Sequence, residues 1–420
     1  MMDLINALWL KRRDIISDEY DESLAYISKI IPLKIHEIPT GTKCWTWTVP
    51  EKWSVTKAYI ENMHGKRLLD LSEHPLVVVS FSLPIDAIVT KDELMEHLHT
   101  RPDNPDAIPF EFKYYEKDWG FCIQYNRLKN FNEEKYHVVI KSKFEQGTLK
   151  VGEYIVPGES TDSVVIVTHL CHPGMVNDDL AGVAVSIEIA KELSKKKNHY
   201  TYRFLFLPET IGSIAYLSQN EELIKTFKYG IFLEMLGCNN PLALQLSKEN
   251  DTKLDVLSKY VMDKKGINHI VGDFRTIIGN DEFVFDYPGI DIPMVSISRA
   301  SINHPFPEYH TDKDNPSIIS VDRLIEAKNV TLSILEMLDG DYVPVKRYRG
   351  PLFLSGYGLW VDWKKNKHNE KVNLDNDKIL FNINDYDSVF DIARKTGLDY
   401  FFVFEFLDRM FNKNLIEKKQ

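Results

Sequence analysis

The sequence predicts an α/β protein: a mixed, largely parallel sheet flanked by helices, with a small β domain inserted and a winged helix at the C-terminal end. Three observations predict it. Wholly apolar runs of strand length alternate with helical patterns from Ser163 to about Gly340, short Trp/Tyr/Val/Thr-rich runs fill the stretch before them, and two amphipathic helices follow. Strands buried on both faces read as continuous apolar runs, and strands that alternate with helices point to a parallel sheet.

In chain order, the first 36 or so residues carry two helix-like stretches. Ser17 before Glu19, with Leu24, Ile27, Ile30 and Ile31 beyond, reads as an N-cap followed by one buried face. From about residue 40, runs such as CWTWTVPEKWSV, PLVVVSFSLP and YHVVIKSKF alternate and are punctuated by prolines, the texture of β structure. VVIVTHL, TYRFLFLPE, YGIFLEML and IPMVSIS are the candidate central strands; AGVAVSIEIAKELSKK is a helix between them, and a last helix begins near Val321 and stops by Asp339 and Gly340. Beyond Pro344 and Pro351, two helices joined at Thr396 and Gly397 and a short strand predict the winged-helix-like module. The predicted boundaries are 1–39 with 156–343 for the α/β domain, 40–155 for the inserted β domain and 344–420 for the winged helix.

Composition narrows the function. Apolar residues make up 44% and charged residues 27% of 420, as in folded water-soluble proteins rather than disordered or membrane-embedded ones. The net charge of −11 has the wrong sign for a chain that grips phosphate backbones throughout. No apolar run approaches the roughly 20 residues that cross a bilayer, and the N-terminus lacks the pattern of a signal peptide. Cys44, Cys122, Cys171 and Cys238 form no CxxC pair, so a reducing cytoplasm is the expected location.

Acidic and imidazole residues gather where the predicted strands end, the place where open α/β sheets bind ligands. His169 ends VVIVTH, Asp178 lies in NDDLAG, Glu209 ends YRFLFLPE, Glu234 ends GIFLE, and His310 sits in PEYHTDKDN. Singly, each has an ordinary reading: a hydrogen-bonded histidine, or a helix N-cap at Asp178. Glu209 and Glu234 resist that reading, because each follows a run of apolar residues and a buried carboxylate is costly without a cation or donor. Two such strand ends call for a shared partner, and imidazole with carboxylate suits Zn²⁺ with a position open to water.

The order of these five residues resembles the co-catalytic zinc aminopeptidases, which share a fold with glutaminyl cyclases. WTVPEKW, YYEKDWGFC, THLCHPGMVNDD and PETIGSIAYL extend the resemblance over nearly the whole chain, to a bacterial family of aminopeptidase-like proteins often associated with polysaccharide biosynthesis loci. The resemblance implies that Asp178 bridges two metals, that His169 and Glu234 complete one metal site, and that His310 serves the other. It also implies a cis peptide between Asp178 and Asp179. Two departures matter: Thr210 stands where the family has a second glutamate, and Cys171 where it has an Asp that orients the histidine, so that His172 compensates or itself ligates. With Glu209 as general base, one Zn²⁺ is firmly held and a second site is short of ligands.

The expected activity is that of a zinc-dependent, aminopeptidase-type hydrolase cleaving a small amide or peptide-like substrate. Two alternatives stay open: a non-hydrolytic scaffold in polysaccharide biosynthesis, and a deacylase acting on an amino sugar. Asp281 or Glu282 meets a substrate amino group or lies in a solvated loop, and Arg299 meets a carboxylate or makes a structural salt bridge. Tyr114, Tyr115 and Trp119 form a lid or sugar-stacking face, or belong to the β core. The last module carries 14 Lys and Arg against 11 Asp and Glu from Val345 on, and its last helix, DYFFVFEFLDRMF, is acidic and aromatic. Protein contact or self-association fits that face better than nucleic acid, and no membrane partner is expected.

Overall fold

The four apolar runs form the parallel centre of an eight-stranded sheet, as Thr201–Leu207, Ser163–His169, Phe227–Leu233 and Met294–Ser298 side by side. Every residue of Ser163–His169 is buried, which is why that strand shows no polar alternation. Beyond Thr201–Leu207, Thr148–Val156 and then Lys34–Pro39 each pair antiparallel with the strand before; beyond Met294–Ser298, Leu242–Gln245 pairs antiparallel and the outermost His269–Gly272 pairs parallel with it. The computed structural model describes residues 1–300, 305–362 and 368–419, in two compact units, Met1–Leu335 and Glu336–Gln420.

Helices cover the sheet as the sequence predicts. Leu180–Leu193 is almost wholly buried, and Val321–Gly340 is the closing helix. Near the N-terminus, Met2–Leu8 buries Leu4, Ile5 and Leu8, and Asp18–Ser28 is capped by the Ser17 hydroxyl, which accepts from Tyr20 N. Within the first unit a second, antiparallel sheet is ordered Arg67–Asp70, Lys52–Asn62, Lys135–Glu145, Ile85–Thr90. Its core includes the fully buried Trp53, stacked on Phe81 at 5.7 Å.

The inserted segment is shorter than its expected 40–155. Thr148–Val156 pairs with Lys34–Pro39 and Thr201–Leu207, so it belongs to the large sheet, and the small sheet ends with Glu145. Its alternation reads like that of the strand before it; only the long-range pairing separates them.

The second unit begins at Glu336, inside the last helix, rather than at 344. Its helices are His368–Asn382, Val389–Thr396 and Tyr400–Asn412, and Val343–Lys346 pairs antiparallel with Ile416–Lys419. Ser388 and Asp391 form a capping box, and Gly397, at φ 67°, supplies the left-handed stop between the last two helices.

The centre of the large sheet should dominate the stability of the first unit. Ile166→Ala, at a position with no exposure, should cost about 2–5 kcal/mol, whereas Ile88→Ala, 58% exposed on the small sheet, should stay within about 0.5 kcal/mol. Urea unfolding of the two variants provides the comparison.

Candidate metal centre

The site forms where the parallel strands end. Ser163–His169 delivers His169, and the chain then loops through Cys171 and His172 to Asp178, whose peptide bond to Asp179 is cis as expected. Asp179 caps Leu180–Leu193, accepting from Gly182 N at 2.8 Å and from Met235 N at 3.0 Å. Gly182 is required here, because a Cβ would lie 2.5 Å from the Leu233 carbonyl.

Asp178 is the hub. One of its oxygens is 2.7 Å from His169 Nε2 and 3.9 Å from His172 Nδ1; the other is 3.1 Å from His310 Nε2. Ligand atoms of His169, His172 and Asp178 lie within 4.8 Å of one another, a group that can hold a metal ion. Glu209 reaches His172 Nε2 at 3.3 Å and keeps 31% side-chain exposure. Of the predicted residues, then, His169, Asp178, His310 and Glu209 converge directly, and His172 joins them. Glu234 is not a member of the group of three: its Oε2 accepts from Asn280 Nδ2 at 2.8 Å, and its Oε1 is buried without a hydrogen-bond partner.

The charges are out of balance. Asp178, Asp179, Glu234, Asp281 and Glu282 are all buried, with only His169 and His172 as buried imidazoles among them. Burial opposes charging His169 and His172, but the Asp178 carboxylate prevails and lifts both well above the usual histidine range. Burial would likewise raise Asp178, yet His172, His169 and His310 draw it well below. Asp179 and Glu234 go the other way, pushed well up by burial and by the Asp178 charge. Excess buried carboxylate beside two imidazoles, with orphaned oxygens on Glu234 and Asp179, is a donor set that fits a divalent cation.

Three supporting residues emerge with the fold: Asp281, which the sequence offered only as a substrate contact or loop residue, and Asp314 and Arg13, which it did not single out. Asp281 lies 3.5 Å from His169 Nδ1 and accepts from Thr210 N at 2.9 Å and Ser213 Oγ at 2.6 Å. The carboxylate that backs the histidine thus comes from a distant loop, and neither Cys171 nor His172 fills that place. Asp314 accepts from the backbone N–H groups of Val176, Asn177 and Asp178 at 3.3, 2.6 and 3.0 Å. The fully buried Arg13 donates to the carbonyls of Leu170, His172 and Met175 at 2.9, 2.7 and 2.9 Å. The only local hint was Asp314, four residues after His310; Arg13 sits in an ordinary KRR run.

Other expectations resolve by burial. Asp281 and Glu282 have no exposure, so neither meets a substrate amine or lies in a solvated loop. Arg299 pairs with Glu326 and donates to the carbonyls of Leu236, Asn240 and Arg323, a structural role. Trp119 stacks on His97 at 3.9 Å within the β insert, while Tyr114 and Tyr115 face a cleft of about 380 Å³ that also reaches Cys171, His172 and Glu209. Phe110 packs edge-on against both His172 and His310, so the insert also forms part of the wall of the centre.

Residues 2–341 match the family described as "Domain of unknown function (DUF4910)". A Clostridium acetobutylicum protein, provisionally named for polysaccharide biosynthesis with an aminopeptidase-like domain, is 38% identical over 339 residues, 81% of this chain and 77% of its own. A crystal structure from Clostridium acetobutylicum, provisionally called a peptidase, superposes with a TM-score of 0.88 at 33% identity, covering 99% of this chain and 95% of that one. BSAP, a zinc aminopeptidase from Bacillus subtilis, superposes with a TM-score of 0.59 at 16% identity over 80% of this chain and 93% of that one; the likeness is one of fold. No helix among the described residues is long and apolar enough to cross a membrane.

Arg13→Met would leave three buried carbonyls of the loop without their donor, at about 1–3 kcal/mol each where no water replaces it. Lowered urea midpoints are the expected result. Glu282 supplies a pH test. Burial lifts its carboxyl from 4.5 to about 7, so between those values the folded protein holds a proton that the unfolded chain releases. Its contribution to stability is present below 4.5 and is lost as pH rises to 7. Glu282→Gln should flatten that decline in thermal unfolding followed across the same range.

Proposed function

The chain belongs to the DUF4910 family, and from that premise we propose that it is a zinc-dependent hydrolase of the aminopeptidase type, acting on a small amide or peptide-like substrate. One observation carries the reading: His169, His172 and Asp178 meet as a buried group, with the carboxylate of Glu209 against His172 at the edge of a cleft. His169, His172 and Asp178 would hold one ion. A second position, between His310 and the other oxygen of Asp178, lacks the carboxylate that Thr210 replaces. Bound zinc supplies polarisation of the amide carbonyl and acidification of water.

The chain's own residues do the rest. Glu209, with its carboxylate 3.3 Å from His172 Nε2 at the edge of the cleft, is placed to accept a proton. Its partial exposure lets it reach both water and substrate, taking a proton from the attacking water and returning it to the leaving amine. Thr210 fixes its direction. At φ 60° and ψ −64° it closes a tight turn, with Ile211 N donating to Glu209 O at 2.6 Å, and its own N–H is anchored on Asp281. Asp281 and Asp314 orient the histidine and the hub loop, and Phe110 screens the imidazoles from solvent.

In the second unit, Phe401 and Phe411 of Tyr400–Asn412 are 55% and 40% exposed, and contact with a protein partner or self-association is the role we assign to that helix.

Glu209→Gln tests the assignment. Amide hydrolysis, measured on whichever of a panel of small aminoacyl and N-acyl amides is turned over with zinc present, should fall by at least about 100-fold while zinc per chain, by elemental analysis, is unchanged. A fully active variant would remove Glu209 from this role.

A further inference from the structure

The insert carries a row of exposed aromatic side chains onto the approach to Glu209. Trp47, 37% exposed, sits on the short hairpin formed by Lys43–Cys44 and Trp47–Thr48; Phe112 and Tyr115, 49% and 56% exposed, follow on a second loop. Phe112 stacks on Tyr114 at 4.5 Å, Trp47 meets Tyr115 edge-on at 6.4 Å, and Tyr115 Oη donates to Thr48 O at 3.1 Å. The hydroxyl thus ties the two loops together, and both border the cleft of about 380 Å³ whose floor includes His172 and Glu209. Large aromatic faces left exposed beside a candidate catalytic base need an occupant.

The lining limits what that occupant is. Lys113 carries the cleft's ammonium among the described residues, and it is already held by Glu116 at 3.1 Å and Asp118 at 2.8 Å. His172, the other cationic group of the lining, is held against Glu209 at 3.3 Å, so each cation already has a carboxylate partner and an added phosphate or carboxylate would meet Glu209 and Glu116 instead. A purely apolar side chain would in turn strip water from Glu116, Lys113 and Thr210 at the rim without replacing its hydrogen bonds. A neutral ring with one apolar face and a polar edge satisfies both conditions, since aromatic walls take its C–H face while its hydroxyls stay wet at the rim.

We propose that this cleft is a subsite for the pyranose ring of an N-acyl amino sugar, held between Trp47, Phe112 and Tyr115, with its amide directed to Glu209. The inference rests on the hydrolase reading for the fate of the amide, but not for the binding of the ring. It makes the insert the part of the chain that selects the substrate.

Ligand-observed NMR titration with N,N′-diacetylchitobiose tests it, on the full chain carrying Glu209→Gln so that the amide stays intact. The disaccharide should bind, and adding Trp47→Ala or Tyr115→Ala should weaken binding about fivefold to tenfold each, with zinc content and melting temperature unchanged. Two variants on separate loops guard against a local folding defect in either. Phenylalanine amide binding in place of the disaccharide would overturn the proposal and show a side-chain pocket. Sugar binding indifferent to both substitutions would overturn it too, by placing the sugar elsewhere. Failure of the hydrolase reading would look different: a chain without zinc, or one whose activity ignores Glu209, with sugar binding still measured independently.

Discussion

A carboxylate buried at Asp178, 2% exposed, is the constraint around which the first unit is arranged. An isolated carboxylate in that position would take up a proton, and it stays ionised only because imidazoles approach both of its oxygens. Those imidazoles come from one strand end and from a loop far along the chain. Each needs its own support, and the supports extend outward: Asp281 behind His169, Asp314 beneath the hub loop, Arg13 across its carbonyls. Much of the sheet's C-terminal rim is thus occupied in keeping one charge in place.

That arrangement explains which parts of the protein were legible in its sequence. Ser163–His169, Thr201–Leu207 and Phe227–Leu233 announce themselves because the C-terminal half of each is buried on both faces and carries an almost unbroken apolar run, and the residue at or just past each end is conspicuous by contrast. His169, Glu209 and Glu234 were found this way. Asp281, Asp314 and Arg13 lie in segments with no such contrast, and their partners are backbone groups or a histidine many residues away. His172 was ambiguous because adjacency to Cys171 says nothing about which way a side chain turns in a loop. The end of the insert was misplaced for a related reason: Lys135–Glu145 and Thr148–Val156 alternate alike, and only the pairing partners tell the sheets apart.

The insert joins the centre through more than proximity. Arg12 donates to the carbonyls of Pro75 and Val78 in the insert and packs over Trp53, while its neighbour Arg13 grips the hub loop. Phe110 N donates to His310 O at 2.9 Å, and Ile108 N to Asp312 at 2.8 Å. Two adjacent arginines and one edge of the insert therefore fix the aromatic wall relative to the buried imidazoles. Such fixed geometry is what a cleft needs if it is to present an amide to one carboxylate oxygen.

The anchoring by Asp314 also has a consequence for biosynthesis. The N–H groups of Val176, Asn177 and Asp178 emerge from the ribosome well before the carboxylate that satisfies them, and His310 emerges only just ahead of it. Until that late stretch has been translated, the loop has neither its brace nor its third imidazole. The geometry around Asp178 is therefore settled late in the first unit's maturation rather than serving as a nucleus for its folding.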